Sequence, residues 1–489
     1  MDARTDSPRM RGRSRTRDAD RNESASEYHS HKLRQPRLRG CRLLGSTQHR
    51  TPRIDSLAAA GIRFTDFYAA SPVCTSSRAA LLTGCYPWRN GMQEFEWDGS
   101  VLRPISPHGL HTDEVTLAEL LKERGYFTAC IGKWHLGDQR EFLPPAHGFD
   151  SFLGLLYSDE MDHKYTDFTW PPMPLMRNND VIEAPADLET MTLRYTREAQ
   201  RLIRENRDRP FFIFLPHMSP GSRTVPIPGH DFKGRSKNGN YGDTVEEIDW
   251  STGEIMDTLT EMQLTDRTIV IWTADNGAPP PRGTKHHGSY GPLALRLRYD
   301  ATEGGMRVPM IARWPDRIPR GKVTREIATN MDLFTTLANL AGAKIPTDRA
   351  IDGRDILPLL TARPGAKSPH KAFYYYFGAQ LQGVRAGKWK LLLALDQPIL
   401  QLGMGQLGVS VSGESGRMSG KPVLARLYDL ETDIGEAKDL ASAHPAIVRR
   451  LEQLAEEARR DIGDLGRPGP RVRPAGRVAN PKPQTLVRQ

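Results

Sequence analysis

Apolar residues recur at two alternating kinds of spacing along this chain, and the alternation is regular enough to predict its elements. After Thr51-Pro52, Ile54, Leu57 and Ala58 repeat at helical spacing and Gly61 follows, which predicts a short helix closed by a glycine. The next run, IRFTDFY at 62–68, alternates like a strand. A helix is predicted from Thr116, with Leu117, Leu120 and Leu121 on one face and Gly125 as its stop; an apolar strand centred on Thr128 to Ile131 follows. The order then repeats. PFFIFLPH (210–217) reads as a buried strand, DTVEEIDWSTGEIMDTLTEMQL (243–264) as a long amphipathic helix, and TIVIWTADNG (268–277) and VPMIARWP (308–315) as further strands. Strands without polar alternation, separated by helices, imply an α/β fold with a mostly parallel sheet sandwiched by helices. Ligands of such sheets sit beyond the carboxyl ends of the strands. Lys133, His135, Asp275 and Asn276 fall there.

A Pro/Gly/Lys-rich joint, TARPGAKSPHKA (361–372), breaks this pattern. Beyond it, FYYYFGAQLQGVRAGKWKLLL and ARLYDLETD read as antiparallel strands, and PAIVRRLEQLAEEARR as an amphipathic helix. The expected organisation is an irregular opening segment at 1–45, a main body at 46–365, a smaller C-terminal α+β unit at 366–464 and a basic tail at 465–489. No internal repeat is visible.

Composition narrows the class. With 489 residues the chain exceeds the size at which single cores stop growing, so a large unit with a smaller one is expected. No run of about eighteen apolar residues occurs, which argues against a membrane-spanning helix. The net charge of +9 sits at the ends: +6 in residues 1–45 and +6 in 465–489, so the body between them carries −3. Basic tails of that kind are usually solvated, and without an aromatic-rich basic face they argue against nucleic acid as a partner. Cys41, Cys74, Cys85 and Cys130 show neither C-x-x-C spacing nor the density of a disulfide scaffold. The first thirty residues are polar and Arg-rich with no apolar core, so no secretory signal is recognisable and the compartment is not legible.

Four stretches could carry chemistry. Cys74 stands just before SSRAALL, a predicted helix start where free N–H groups and the macrodipole favour anions, and Arg78 adds a permanent charge one turn on. Taken alone, the stretch favours the plainer reading of a lone cysteine, a small buried structural side chain. Lys133 and His135 are two apart at a strand end, a spacing that puts both on one face with Trp134 on the other; a solvated loop is the alternative. Asp275 and Asn276 end a strand before Gly277 and suit a hard divalent cation, or equally an Asn-Gly turn with a local hydrogen bond. In ATEGGMRVPMIARWP, Glu303 and Arg307 read as a structural pair.

In series, GSTQHRTPRIDSLAAAG, CTSSRAALLTG, GKWHLG, FKGRSKNGNYGDTVEEIDWSTG, TADNG, EGGMRVP, IDGRDILPLL and LYDLETD resemble the sulfatase family. The resemblance is to its arylsulfatase-like, formylglycine-dependent type in the alkaline phosphatase superfamily. It implies an alkaline phosphatase-like fold and hydrolysis of a sulfate monoester of a phenol or sugar. It also implies a cysteine converted to formylglycine by a formylglycine-generating enzyme. One hydroxyl of the aldehyde hydrate attacks sulfur, and the second collapses the resulting hemiacetal and expels sulfate, an exit that a serine ester lacks. Calcium or another divalent metal holds the oxygens in that family. Carried over by motif, Cys74 is the formylglycine precursor and a metal contact, and Arg78 is its stabiliser. Lys133 binds sulfate and His135 assists proton transfer. Asp275 and Asn276 are metal ligands.

Four positions depart from the family pattern. Ser76 stands where the C-x-P-x-R signature has Pro or Ala. Lys32 and Leu33 stand where an apolar strand would end in paired aspartates. No histidine lies within MSPGSRTVPIPG, and His217 and His230 on either side do not match the motif. Arg298 replaces a substrate-binding lysine, keeping the charge but not the compact ammonium. Two alternatives stand beside sulfate ester hydrolysis: a phosphomonoester or phosphonate hydrolase with the same cradle, and a non-catalytic module that binds sulfate or a sulfated glycan.

Overall fold

The computed structural model describes residues 48–95, 101–164, 169–220, 226–278, 288–289, 291–293, 301–401, 417–419 and 422–486. Lys32, Leu33, Cys41 and Arg298 lie outside them. In chain order the elements that build the site begin with α1 (Pro52–Ala59), β1 (Ile62–Tyr68), α2 (Cys74–Thr83) and α3 (Leu117–Lys122). Next come β2 (Phe127–Ile131), β3 (Ser151–Leu155), β4 (Leu175–Arg177), β5 (Asp180–Glu183) and α4 (Met191–Glu205). They are followed by β6 (Phe211–Phe214), α5 (Gly239–Glu261), β7 (Val270–Thr273), β8 (Arg307–Arg313), β9 (Lys322–Thr324), β10 (Ala328–Thr329) and α6 (Met331–Leu340). The predicted helix at Thr116 forms because a full capping box closes it: Thr116 accepts from the Glu119 N–H, and Glu119 accepts from the Thr116 N–H.

The strands form two mixed sheets of order β5-β4-β3-β2-β6 and β9-β1-β8-β7, with β10 also beside β1. β2 is parallel to β3 and β6, and β1 is parallel to β9 and β10, as the alternation of helices and strands predicts. Antiparallel pairing enters at β8 against β1 and β7, and at β4 against β3 and β5. The chain leaves β7 and enters β8 at the same end of the sheet, so these two strands must run in opposite senses. Helices cover both faces. Ile311 of β8 packs with Ile54 and Leu57 of α1 on one side, while Val308, Met310 and Ala312 pack with Leu333 of α6 on the other. Among the described residues no helix is long and apolar enough to cross a membrane.

The strand predicted as buried, Phe211–Phe214 of β6, is half-buried along its whole length, and so is Val270–Thr273 of β7. Among the described residues β6 pairs only with β2 and β7 only with β8, so each presents one unpaired edge. Phe214, Trp272 and Thr273 line a common cavity, which keeps their apolar faces from closing fully.

The C-terminal part is an antiparallel sheet of order β11 (Phe373–Phe377), β12 (Gln380–Ala386), β13 (Trp389–Leu392) and β14 (Arg426–Asp429), covered by α7 (Pro445–Asp461). Its core is shared with the main body: Tyr68, Ala80, Tyr86 and Trp88 pack in one cluster with Phe373, Tyr375, Leu381 and Leu451. The basic tail, expected to be solvated, packs back on the body over residues 465–486. Arg473 donates from Nε and Nη2 to the Glu114 carboxylate at 2.5 and 2.9 Å, and His108–Gly109 pairs antiparallel with Gly476–Arg477. The tail's charge is thus partly used inside the fold.

Candidate active site

Cys74 is the first residue of α2, preceded by Val73 in extended conformation, and its thiol is free and half-exposed. Gly84 ends the helix in the left-handed conformation, φ 69°, packed so closely that a Cβ there would meet Phe334 at 2.5 Å. The hydroxyl run after Cys74 anchors the first turn. Thr75 Oγ1 accepts from the Leu102 N–H at 3.2 Å, Ser76 Oγ donates to the Met92 carbonyl at 2.7 Å, and Ser77 Oγ donates to the Asp275 carbonyl. Cys74 is left as the side chain of that turn without such a bond, at the rim of a cavity of about 300 Å³.

Arg78, 6% exposed, reaches two strand ends at once. Nη1 donates to the Lys133 carbonyl at 2.6 Å, while Nε and Nη2 both donate to Asp275 Oδ2 at 3.0 and 2.7 Å. Lys133 follows Gly132, whose φ of 126° and approach to the Pro216 carbonyl, 2.1 Å from where a Cβ would stand, admit only glycine. The Lys133 N–H donates to Pro216 at 2.8 Å, and its side chain, in a residue 4% exposed, lines the cavity.

His135 departs from the strand-face expectation. β2 stops at Ile131, and positive φ at Gly132 and His135 (62°) destroys the alternation that would put His135 beside Lys133. His135 is fully buried and is not part of the cavity wall; Nε2 contacts the Leu102 carbonyl at 2.9 Å and Nδ1 has no partner. Burial, then the charges of Lys133 and Arg78, hold its imidazole neutral, well below the usual range.

Asp275 and Asn276 do sit together beyond β7, on the cavity wall. Burial alone would raise the Asp275 carboxyl, but Arg78 and then Lys133 outweigh it and lower its pKa. Asn276 Nδ2 donates to the Gly277 carbonyl at 2.9 Å, the local turn bond that the Asn-Gly sequence allows.

This arrangement of a free thiol at a helix start on one cavity wall with an arginine of the same helix and a lysine beyond a strand end agrees with what the whole sequence matches. The Sulfatase family model covers residues 32–343, and the C-terminal region of aryl-sulfatase covers 368–467. The chain belongs to the sulfatase family. Steryl-sulfatase of Homo sapiens is 36% identical to it over 418 residues, 71% of this chain and 71% of that protein. Arylsulfatase A of Homo sapiens is 37% identical over 442 residues, 85% of this chain and 83% of that protein. A solved structure from work on the metabolism of multiple glycosaminoglycans by Bacteroides thetaiotaomicron superposes with a TM-score of 0.71. It is 26% identical, covering 86% of this chain and 96% of that one. The family resemblance read from the motifs therefore holds, and with it the alkaline phosphatase-like architecture and the class of sulfuric ester hydrolases.

The divalent metal of the sulfatase family meets a poor donor set in this chain. Calcium takes six to eight oxygens. Among the described residues no three His, Cys, Asp or Glu side chains converge on one point, and Asp275 Oδ2 already accepts two N–H groups of Arg78. Two neighbouring cations oppose a third. The described residues do not fit the metal.

Several wall residues escaped the sequence reading. His217, set aside because it misses the family motif, reaches the cavity, with Nε2 3.3 Å from Ser251 Oγ and Nδ1 unpartnered. Burial pushes its pKa down to about 4. Ser158 and Glu160 also line the space, and Asp159 between them is pushed up to about 7 by burial and by Glu160, against Lys133. Their only sequence signal is the acidic loop SDEMD after β3. His230 is an exposed side chain away from the cavity wall.

Proposed function

We propose that this sulfatase hydrolyses a sulfate monoester of a phenol or sugar in the cavity bounded by Cys74, Arg78 and Lys133. The observation that supports it is that a free thiol at the amino end of α2 opens onto the same space as a buried lysine and a fixed arginine. The unpaired N–H groups of the first helical turn and the macrodipole favour the anionic group there. Arg78 is held by Asp275 and the Lys133 carbonyl, so its charge stays one turn from Cys74. The Lys133 ammonium offers three donors to sulfate oxygens and stabilises charge that develops as the ester bond breaks. Phe214, Trp272, Ile54 and Leu293 give the cavity an apolar side suited to an aryl or sugar ring. Converted to formylglycine by its generating enzyme, Cys74 would supply a hydrated aldehyde as nucleophile. Its half-exposed position at the cavity rim fits that role.

The test is co-expression with a formylglycine-generating enzyme, mass spectrometry of the tryptic peptide 64–78, and turnover of nitrophenyl sulfate beside nitrophenyl phosphate. The expected result is an aldehyde at Cys74, faster turnover of the sulfate, and loss of turnover by at least about a thousandfold in Cys74→Ala. An unmodified thiol with no turnover would leave only the non-catalytic sulfate- or glycan-binding reading.

A further inference from the structure

Arg78 and Lys133 stand differently toward the cavity. The Arg78 guanidinium has a counter-ion, Asp275 Oδ2, at 2.7 Å. Lys133 is 4% exposed, and among the described residues no carboxylate lies within ion-pair distance of its Nζ. A buried ammonium with no carboxylate in direct contact is costly. Asp275 and Asp159 lie near enough to feel the Lys133 charge without pairing with it, and the cavity that Lys133 lines is where a directly contacting anion fits. From the divalent cation's side, the same wall offers Asp275, already occupied by Arg78, the Asn276 amide, and Glu160, with no convergent third ligand among the described residues.

We infer that in this chain the cavity is a cation-independent oxyanion site, in which Asp275 serves as the counter-ion of Arg78 and Lys133 supplies the charge that meets a sulfate group. The inference rests on the sulfate-ester reading above and adds how the anion is held. It reverses the role of Asp275. As a metal ligand Asp275 would help sulfate bind; as the counter-ion of Arg78 it opposes the anion.

Inorganic sulfate is the probe, titrated calorimetrically into the purified full chain after dialysis against EDTA and again after loading with calcium and gel filtration. Bound calcium is measured by elemental mass spectrometry. Expected are calcium well below one per chain and the same sulfate affinity in both preparations. Lys133→Ala, which leaves the Arg78–Asp275 pair intact, should weaken sulfate binding about tenfold or more. Asp275→Asn should tighten it, on the order of fivefold, by removing an opposing charge. Thermal melts of both variants separate these effects from misfolding. Stoichiometric calcium with sulfate affinity that collapses in EDTA overturns the inference while leaving the sulfatase reading intact, as does sulfate binding indifferent to Lys133→Ala. No sulfate binding in either preparation overturns the oxyanion site itself. The catalytic reading fails separately, by an unmodified Cys74 thiol.

Discussion

Ser76 is the residue on which the chemistry of Cys74 turns. It stands where the family signature has Pro or Ala, its hydroxyl is buried against the Met92 carbonyl, and its backbone is in the first turn of α2. Position explains why the substitution is tolerated in either direction: a first-turn N–H has no partner within the helix, so proline fits there without breaking a ladder. Ser76→Pro should therefore fold, losing about 1 kcal/mol with the Met92 hydrogen bond, and should raise the fraction of Cys74 converted to formylglycine. Urea denaturation and mass spectrometry of the 64–78 peptide from cells expressing the generating enzyme read the two effects separately. Equal conversion in both proteins would show that Ser76 does not limit modification.

At the scale of elements, β6 and β7 are the exception in an otherwise closed core. β6 is apolar at every position and β7 at all but Thr273, both are half-buried, and each has one edge unpaired among the described residues. Unpaired strand edges exchange through small local openings, whereas a doubly paired strand exchanges only through larger ones. Amides of 211–214 and 270–273 that do not donate to β2 or β8 should exchange about a hundredfold faster or more than those of β1 and β2. Hydrogen exchange with mass spectrometry or NMR measures this. Equal protection would mean that another segment of the chain covers those edges. Element existence was readable from sequence because it depends on local periodicity: the strands at 62–68 and 127–131, the capped helix at 117–122 and the Glu303–Arg307 pair all form. What periodicity does not carry is how a chain leaves a strand. Lys133 and His135 part because Gly132 and His135 adopt positive φ, and Asp275 acquires Arg78 as partner from 197 residues away in the chain. The packing of the basic tail is out of reach of local pattern for the same reason, since the Arg473 partner Glu114 is 359 residues distant.

The whole molecule is held across its two parts by a buried charge cluster that also touches the site. Glu303 lies at its centre, fully buried. Its carboxylate accepts from Tyr68 and Tyr375 at 2.7 and 2.6 Å and pairs with Arg307 at 3.1 Å and Lys390 at 3.2 Å. Asp66 bridges Arg307 and Arg385 at 2.7 and 2.6 Å. Tyr68 and Asp66 belong to β1, Arg307 begins β8 and lines the cavity, and Tyr375, Arg385 and Lys390 come from β11, β12 and β13. The C-terminal sheet is thus tied electrostatically to the cavity wall. Burial would raise the Glu303 carboxyl, but Lys390, Arg307 and Arg385 outweigh it and hold it well below the usual carboxylate range. With the folded pKa below the unfolded one, its contribution is present above the unfolded value of about 4.3 and is lost as pH falls below that. Glu303→Gln keeps the shape but leaves three buried cations short of one negative charge, so stability at neutral pH should fall by about 3–5 kcal/mol. Because Gln cannot titrate, the variant should also lose stability less steeply than the parent on acidification below about pH 4. Urea denaturation at several pH values measures both. A loss under about 1 kcal/mol, or an acid limb parallel to the parent's, would mean that the aromatic core shared by the two parts, and not this cluster, holds the C-terminal sheet on the body.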